Sequence, residues 1–146
     1  MTAGRALRRG WRLVRMSGDE WRLLLEAVWL LAAARRRLQR MAPLPLRRTL
    51  EEATPRRGSP GRLPDTQVAV AVARASRLVP RTTCLCRALA LETMLRARGA
   101  EAEMRLGVRR EASGGLIAHA WVETPTATFF ADPTERTVPL PHFRTA

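Results

Sequence analysis

The sequence predicts an α+β fold with N-terminal helices followed by a small antiparallel sheet. Three observations lead there. Apolar residues recur at helical spacing over 21–34, 66–79 and 84–98. Three strand-like runs follow, at 102–108, 116–123 and 128–131, with no helical pattern between them. The connections RREASGG and TPTA that join these runs have hairpin length. Helices grouped ahead of strands, instead of alternating with them, set α+β apart from α/β.

A chain of 146 residues that is 46% apolar holds one modest domain with a real core, which excludes wholesale disorder. Its net charge of +13 is carried by arginine alone, since no lysine occurs. Residues 1–62 contain 15 arginines against 5 acids, and residues 63–146 contain 11 against 8. The basic N-terminal part therefore suits an acidic partner such as a peptide, a protein or a membrane surface. Nucleic acid is set aside, because there is no reader motif, no zinc spacing and no aromatic platform. Neither a metal nor a cofactor is expected.

Residues 1–42 read as a basic N-terminal helical segment. Asp19 is expected to cap its helix, with Trp21, Leu24, Leu25, Val28, Leu31 and Ala32 forming the buried stripe. The apolar run at 21–34 contains Arg22 and Glu26 and ends in three arginines. It falls short of the ~20 residues of a membrane span. A helix buried against the body or a partner is the expectation, with a peripheral membrane contact through 21–34 left open.

Residues 43–64 carry Pro43, Pro45, Pro55, Pro60 and Pro64, which predicts a Pro/Arg-rich linker with at most a helical turn at 49–53. The catalytic domain is expected over 65–146. Asp65 is expected to cap a helix whose Val68, Val72, Ala75 and Val79 share one side, ended by Pro80. Gly99 stops the next helix.

That helix opens with TTCLCRALAL and holds both cysteines of the chain. Two thiols at i and i+2 diverge on a helix and cannot bridge each other. With no third cysteine there is no disulfide framework, which predicts reduced thiols and a cytoplasmic location. Cys84 stands at the helix start, where the field of the first turn favours a thiolate nucleophile. Cys86 lies on the helix flank.

A nucleophilic thiol needs a base, and the base needs an orienting group. Only His119 and His142 are available, and His142 sits in the loop-like tail PLPHFRTA. In the run LIAHAWVE, alternation places Ile117, His119 and Trp121 on one face. Pairing across the turn at 124–127 sets residue 119 opposite Asp132, whose carboxylate can orient the imidazole. Each feature also has an ordinary structural account: a small core cysteine, a packed histidine, a DPT turn, and a Trp121 that belongs to the core.

Taken together, the cysteine helix, the strand AHAWVE and the downstream DPT resemble the transglutaminase-like, papain-fold superfamily. More narrowly, CLCRALALETMLRARGAEAEMRLGVRREASGGLIAHAWVE resembles the leader peptidases of lasso peptide biosynthesis, over residues 65–134. The segment LLLEAVWLLAAARRRL fits that family's opening helix. The resemblance implies Cys84 as nucleophile, His119 as base and Asp132 as orienting acid, with no role for Cys86 and no cofactor. It implies a stand-alone protease component that meets a precursor leader peptide, a small leader-recognition protein and an ATP-dependent lasso cyclase. The family often has a different segment after the histidine strand. Two rival functions are acyl transfer of the transglutaminase type and a non-catalytic scaffold that presents peptides.

Overall fold

Four helices form before any strand in the computed structural model, which describes residues 16–40, 42–56, 63–110, 112–131 and 138–139. Helix α1 (Gly18–Leu38) starts at a capping box. Glu20 N–H donates to Ser17 Oγ at 3.3 Å, and Ser17 N–H donates to Glu20 Oε2 at 2.9 Å. The cap is thus Ser17, and Asp19 instead places its charge in the first turn, where the helix dipole favours it.

The buried face of α1 also differs from expectation. Leu23, Leu24, Ala27, Leu30, Leu31 and Ala34 are buried, while Trp21 and Leu25 are exposed. The true stripe is rotated by about one residue, roughly 100°. The run is apolar around most of its circumference, so periodicity alone does not fix which side turns inward.

Helix α2 (Pro43–Ala53) occupies the first half of the stretch that composition marks as a linker. Its prolines open the helix instead of interrupting it, because the first turn needs no backbone N–H. Leu46 and Leu50, one turn apart, are fully buried in the same core cluster as Leu30 and Leu89. The segment is a packed helix.

Helix α3 (Asp65–Ala75) begins with Pro64 at the cap position, so Asp65 is its first helical residue and not its cap. It packs on α1 and α4 through Val68, Ala69, Ala71, Val72 and Ala75. Helix α4 (Cys84–Ala97) is the axis of the molecule. Its run 88–95 is buried around the whole circumference, the mark of a helix enclosed by its neighbours. It ends in a Schellman turn, with Ala100 N–H to Leu95 O and Gly99 N–H to Arg96 O, both 3.0 Å. Gly99 adopts φ +78°, as expected of a helix-terminating glycine.

Two charged clamps hold α4. Arg98 grips Glu26 of α1 with both guanidinium ends, at 3.1 and 2.6 Å, and donates to Met94 O at 2.8 Å. On another side, the fully buried Glu92 lies 2.8 Å from Arg47 of α2, an ion pair without the linearity of a hydrogen bond. Glu92 Oε1 accepts the Met104 N–H at 2.9 Å. Burial pushes the Glu92 carboxyl up to about 7 against the pull of that N–H and of Arg47.

The sheet has strand order β3-β2-β1-β4 and is antiparallel in every pairing. Its strands are β1 (Glu103–Arg110), β2 (Leu116–Glu123), β3 (Thr128–Phe129) and β4 (Val138–Pro139). The last of these has no counterpart in the sequence reading. One face, with Met104, Leu106, Ala120 and Val122, turns to the core, and the other carries Arg105, His119, Trp121 and Glu123. The 124–127 turn gives the expected register, pairing Val122 with Phe129 and Glu123 with Thr128. That ladder is only two pairs long, for Phe130 turns to φ +64°. Among the described residues, no helix is long and apolar enough to cross a membrane.

Candidate active site

Thr83 sets where α4 begins. It adopts extended backbone, and its Oγ1 accepts the Cys86 N–H at 3.3 Å. Cys84 is therefore the first helical residue. Thr83 Oγ1 also donates to Cys86 Sγ at 3.3 Å, and Cys86 is buried. The two thiols thus differ in kind: Cys86 is packed beneath the cap, while Cys84 is half-buried and reachable. Among the described residues, the N–H groups of Cys84 and Leu85 meet no acceptor. Both are first-turn donors free to face an incoming oxyanion.

Cys84 meets the sheet at β2. Its Sγ lies 3.9 Å from the carbonyl oxygen of Ala118, at the outer limit of a thiol hydrogen bond, beside His119 in the chain. The imidazole is held separately, with Nε2 2.8 Å from the Phe130 carbonyl oxygen. A carbonyl can only accept, so Nε2 carries the hydrogen and Nδ1 of the neutral ring keeps its lone pair. Phe130 is tied back to α4, where the Arg87 guanidinium lies 4.8 Å from its ring centroid, one turn beyond Cys84. Among the described residues, no hydrogen bond joins Cys84 to His119. Asp132 and His142 lie outside the described residues.

Behind the imidazole runs an ordered chain of side chains. The Trp121 ring stacks on His119 with centroids 6.2 Å apart and planes at 17°. Trp121 Nε1–H donates to Glu123 Oε1 at 2.9 Å, and Arg105 Nε–H donates to Glu123 Oε2 at 3.0 Å. The Trp121 hydrogen bond, with the bond and charge of Arg105, holds the Glu123 carboxyl below its ordinary range. Trp121 is thus the wall of the imidazole as well as a buried side chain. Glu123 is a site residue that the sequence reading missed. The signal was present, since His119, Trp121 and Glu123 alternate along one strand and must share its face.

Among the described residues, no group of His, Cys, Asp and Glu could hold a metal ion. Chemically, the arrangement offers an accessible thiol at a helix start, a tautomer-fixed imidazole on the adjoining strand, and free amide donors beside the sulfur. No curated protein and no solved structure matches the chain. The pattern of the Transglutaminase-like superfamily matches residues 28–140. That match takes in the cysteine helix, the histidine strand and the packed α2 together, and the chain belongs to the transglutaminase-like superfamily.

Proposed function

We propose that the chain is a cysteine peptidase that removes the leader from a ribosomally made lasso peptide precursor. Cys84 is the nucleophile, His119 the base and Asp132 the orienting acid. A small leader-recognition protein presents the precursor, and an ATP-dependent cyclase acts on the product. The superfamily includes both cysteine peptidases and acyltransferases. The narrower reading is supported by the motif from Cys84 to Glu123. The observation that carries the chemistry is the contact of Cys84 Sγ with β2 at Ala118, next to an imidazole whose Nε2 is already engaged.

In this mechanism the Cys84 sulfur attacks the carbonyl carbon at the leader–core junction. Nδ1 of His119 takes the thiol proton and delivers it to the leaving amine, a transfer worth about 10²–10⁴ in rate. The Cys84 and Leu85 N–H groups receive the oxyanion, where a single donor contributes about 10²–10³. Water then adds to the acyl-enzyme as Nδ1 accepts its proton. The tetrahedral species expels the thiolate and frees the leader with a carboxylate end.

The test combines the protein, its recognition partner and the precursor, and follows leader release by mass spectrometry. Cys84→Ala abolishes release and Cys86→Ala does not. Full activity in Cys84→Ala sinks the assignment. An acyl transferase instead gives an amide adduct when a primary amine is supplied, with little free leader acid.

A further inference from the structure

The outward face of α1 carries a ridge that the fold does not use. Trp21, Leu25 and Trp29 follow one another at one-turn intervals and are 39%, 62% and 51% exposed. On the helical wheel they lie opposite the buried row of Leu23, Ala27, Leu30 and Ala34. The ridge is about 12 Å long at 1.5 Å per residue. Arg22 and Arg36 are exposed on the same side, and the exposed Arg40 follows the helix end.

The acids of α1 stand elsewhere. Glu20 is engaged in the cap and lies 3.9 Å from Arg74, and Glu26 turns inward to Arg98. Asp19 sits about a third of a turn off the ridge. The sequence ahead of the helix adds Arg5, Arg8, Arg9, Arg12 and Arg15, with no acid before Asp19.

We propose that this ridge lies on an anionic lipid surface and seats the protein peripherally, with the axis of α1 in the plane of the interface. Three observations select lipid as the occupant. The ridge is convex and belongs to one helix, a shape that matches a plane without needing a complementary groove. Its apolar members are chiefly tryptophan, whose ring is at home at headgroup depth. Its flanks are arginines, which keep their charge among the phosphates while their stems cover apolar surface. The helix is not apolar enough along its length to cross the bilayer, so it lies on the surface. Cys84 opens a different helix, α4, so the ridge uses none of the proposed catalytic side chains.

The test is vesicle flotation of the full-length protein with pure phosphatidylcholine and with mixed phosphatidylcholine–phosphatidylglycerol. The bound fraction is about tenfold higher with the anionic lipid, as expected where apolar insertion and charge act together. It falls at about 0.5 M NaCl, where the Debye length is only about 4 Å. Trp21→Ala/Trp29→Ala and, independently, Leu25→Glu lower binding about tenfold with the melting temperature unchanged, since these side chains are exposed. Arg22→Gln/Arg36→Gln removes the preference for the anionic vesicles. Absence of wild-type binding, equal binding to both vesicles, or wild-type binding by the tryptophan variant overturns the proposal. So does protection of the ridge only on adding the recognition protein or cyclase, which would assign it to a protein partner.

Discussion

The Nε2 atom of His119 lies 2.8 Å from the carbonyl oxygen of Phe130, a residue held at φ +64°. An imidazole has two nitrogens, and this contact commits one of them. In the proposed mechanism Asp132 reinforces only that same N–H, because Nδ1 serves the thiol. The orienting function is then shared between a carboxylate and a main-chain carbonyl. Asp132→Ala therefore lowers kcat about tenfold, well short of the ~10⁴ seen when a sole orienting acid is lost. His119→Ala removes turnover altogether. Steady-state kinetics on the two variants makes the comparison, and equal losses exclude a shared role.

Glu123 acts on His119 only through Trp121, so it is a positioning residue. Glu123→Gln keeps a side chain that can still accept from Trp121 but loses the charge facing Arg105. Glu123→Ala loses both. The expected order of kcat is wild type, then Gln, then Ala, with a total span of about tenfold and KM unchanged. A purely structural role instead lowers the melting temperature, moves kcat and KM together, and gives no rescue by Gln.

Glu92 makes stability depend on pH in an unusual direction. Its folded value of about 7 lies above the ordinary 4.5, so the folded state binds the extra proton between these values. The stabilisation is complete below the unfolded value and is lost as pH rises through the folded one. Across pH 5 to 8 its contribution to unfolding free energy falls by about 2–3 kcal/mol, with a slope approaching 1.36 kcal/mol per pH unit between the two values. Urea denaturation of the wild type and Glu92→Gln over this range gives curves whose difference carries that slope. Parallel curves rule out a protonated Glu92.

Helix α2 is tested by truncating a core side chain. Leu50 is fully buried, so Leu50→Ala is expected to lower stability by about 2–5 kcal/mol. A linker residue at this position would show almost no effect.

The Glu26–Arg98 pair fastens α1 to the end of α4 with both side chains mostly buried. Glu26→Ala leaves the Arg98 charge, among the described residues, with the Met94 carbonyl and costs about 3–5 kcal/mol in thermal or chemical unfolding. Glu26→Ala/Arg98→Met recovers part of that loss, since the Arg98 charge is removed with its partner.

The parts of this fold that are legible in the sequence are those fixed locally. Gly99 ends α4 as read, because a left-handed stop is a property of a few adjacent residues. The turn at 124–127 gives the register of β2 and β3 because a short loop leaves the strands little freedom. What stayed hidden depends on distant partners. Pro43 and Pro45 have the composition of a linker, and only Leu46 and Leu50 finding the core turns the segment into a helix. The orientation of α1 follows from which side meets α3 and α4, a choice its nearly all-apolar circumference does not record. Strand β4 is two residues long and includes a proline, so it owes its existence to the free edge of β1.

The candidate site divides the same way. Cys84 and His119 were visible because helix start and strand alternation give each a distinct place. Phe130 was not visible, because its main-chain carbonyl leaves no mark in side-chain chemistry. Glu123 was overlooked because its link to the imidazole runs through an intervening ring.

The stack of His119, Trp121 and Glu123 also sets how this strand can vary. Every second residue of HAWVE contributes to one face, so the motif works as a ruler with a two-residue graduation. Inserting or deleting a single residue between positions 119 and 123 would swing the far end of the ruler into the core and separate carboxylate from indole. Substitutions can tune the segment, whereas a change in its length dismantles it. The five residues therefore behave as one indivisible unit, to be grafted or inherited whole.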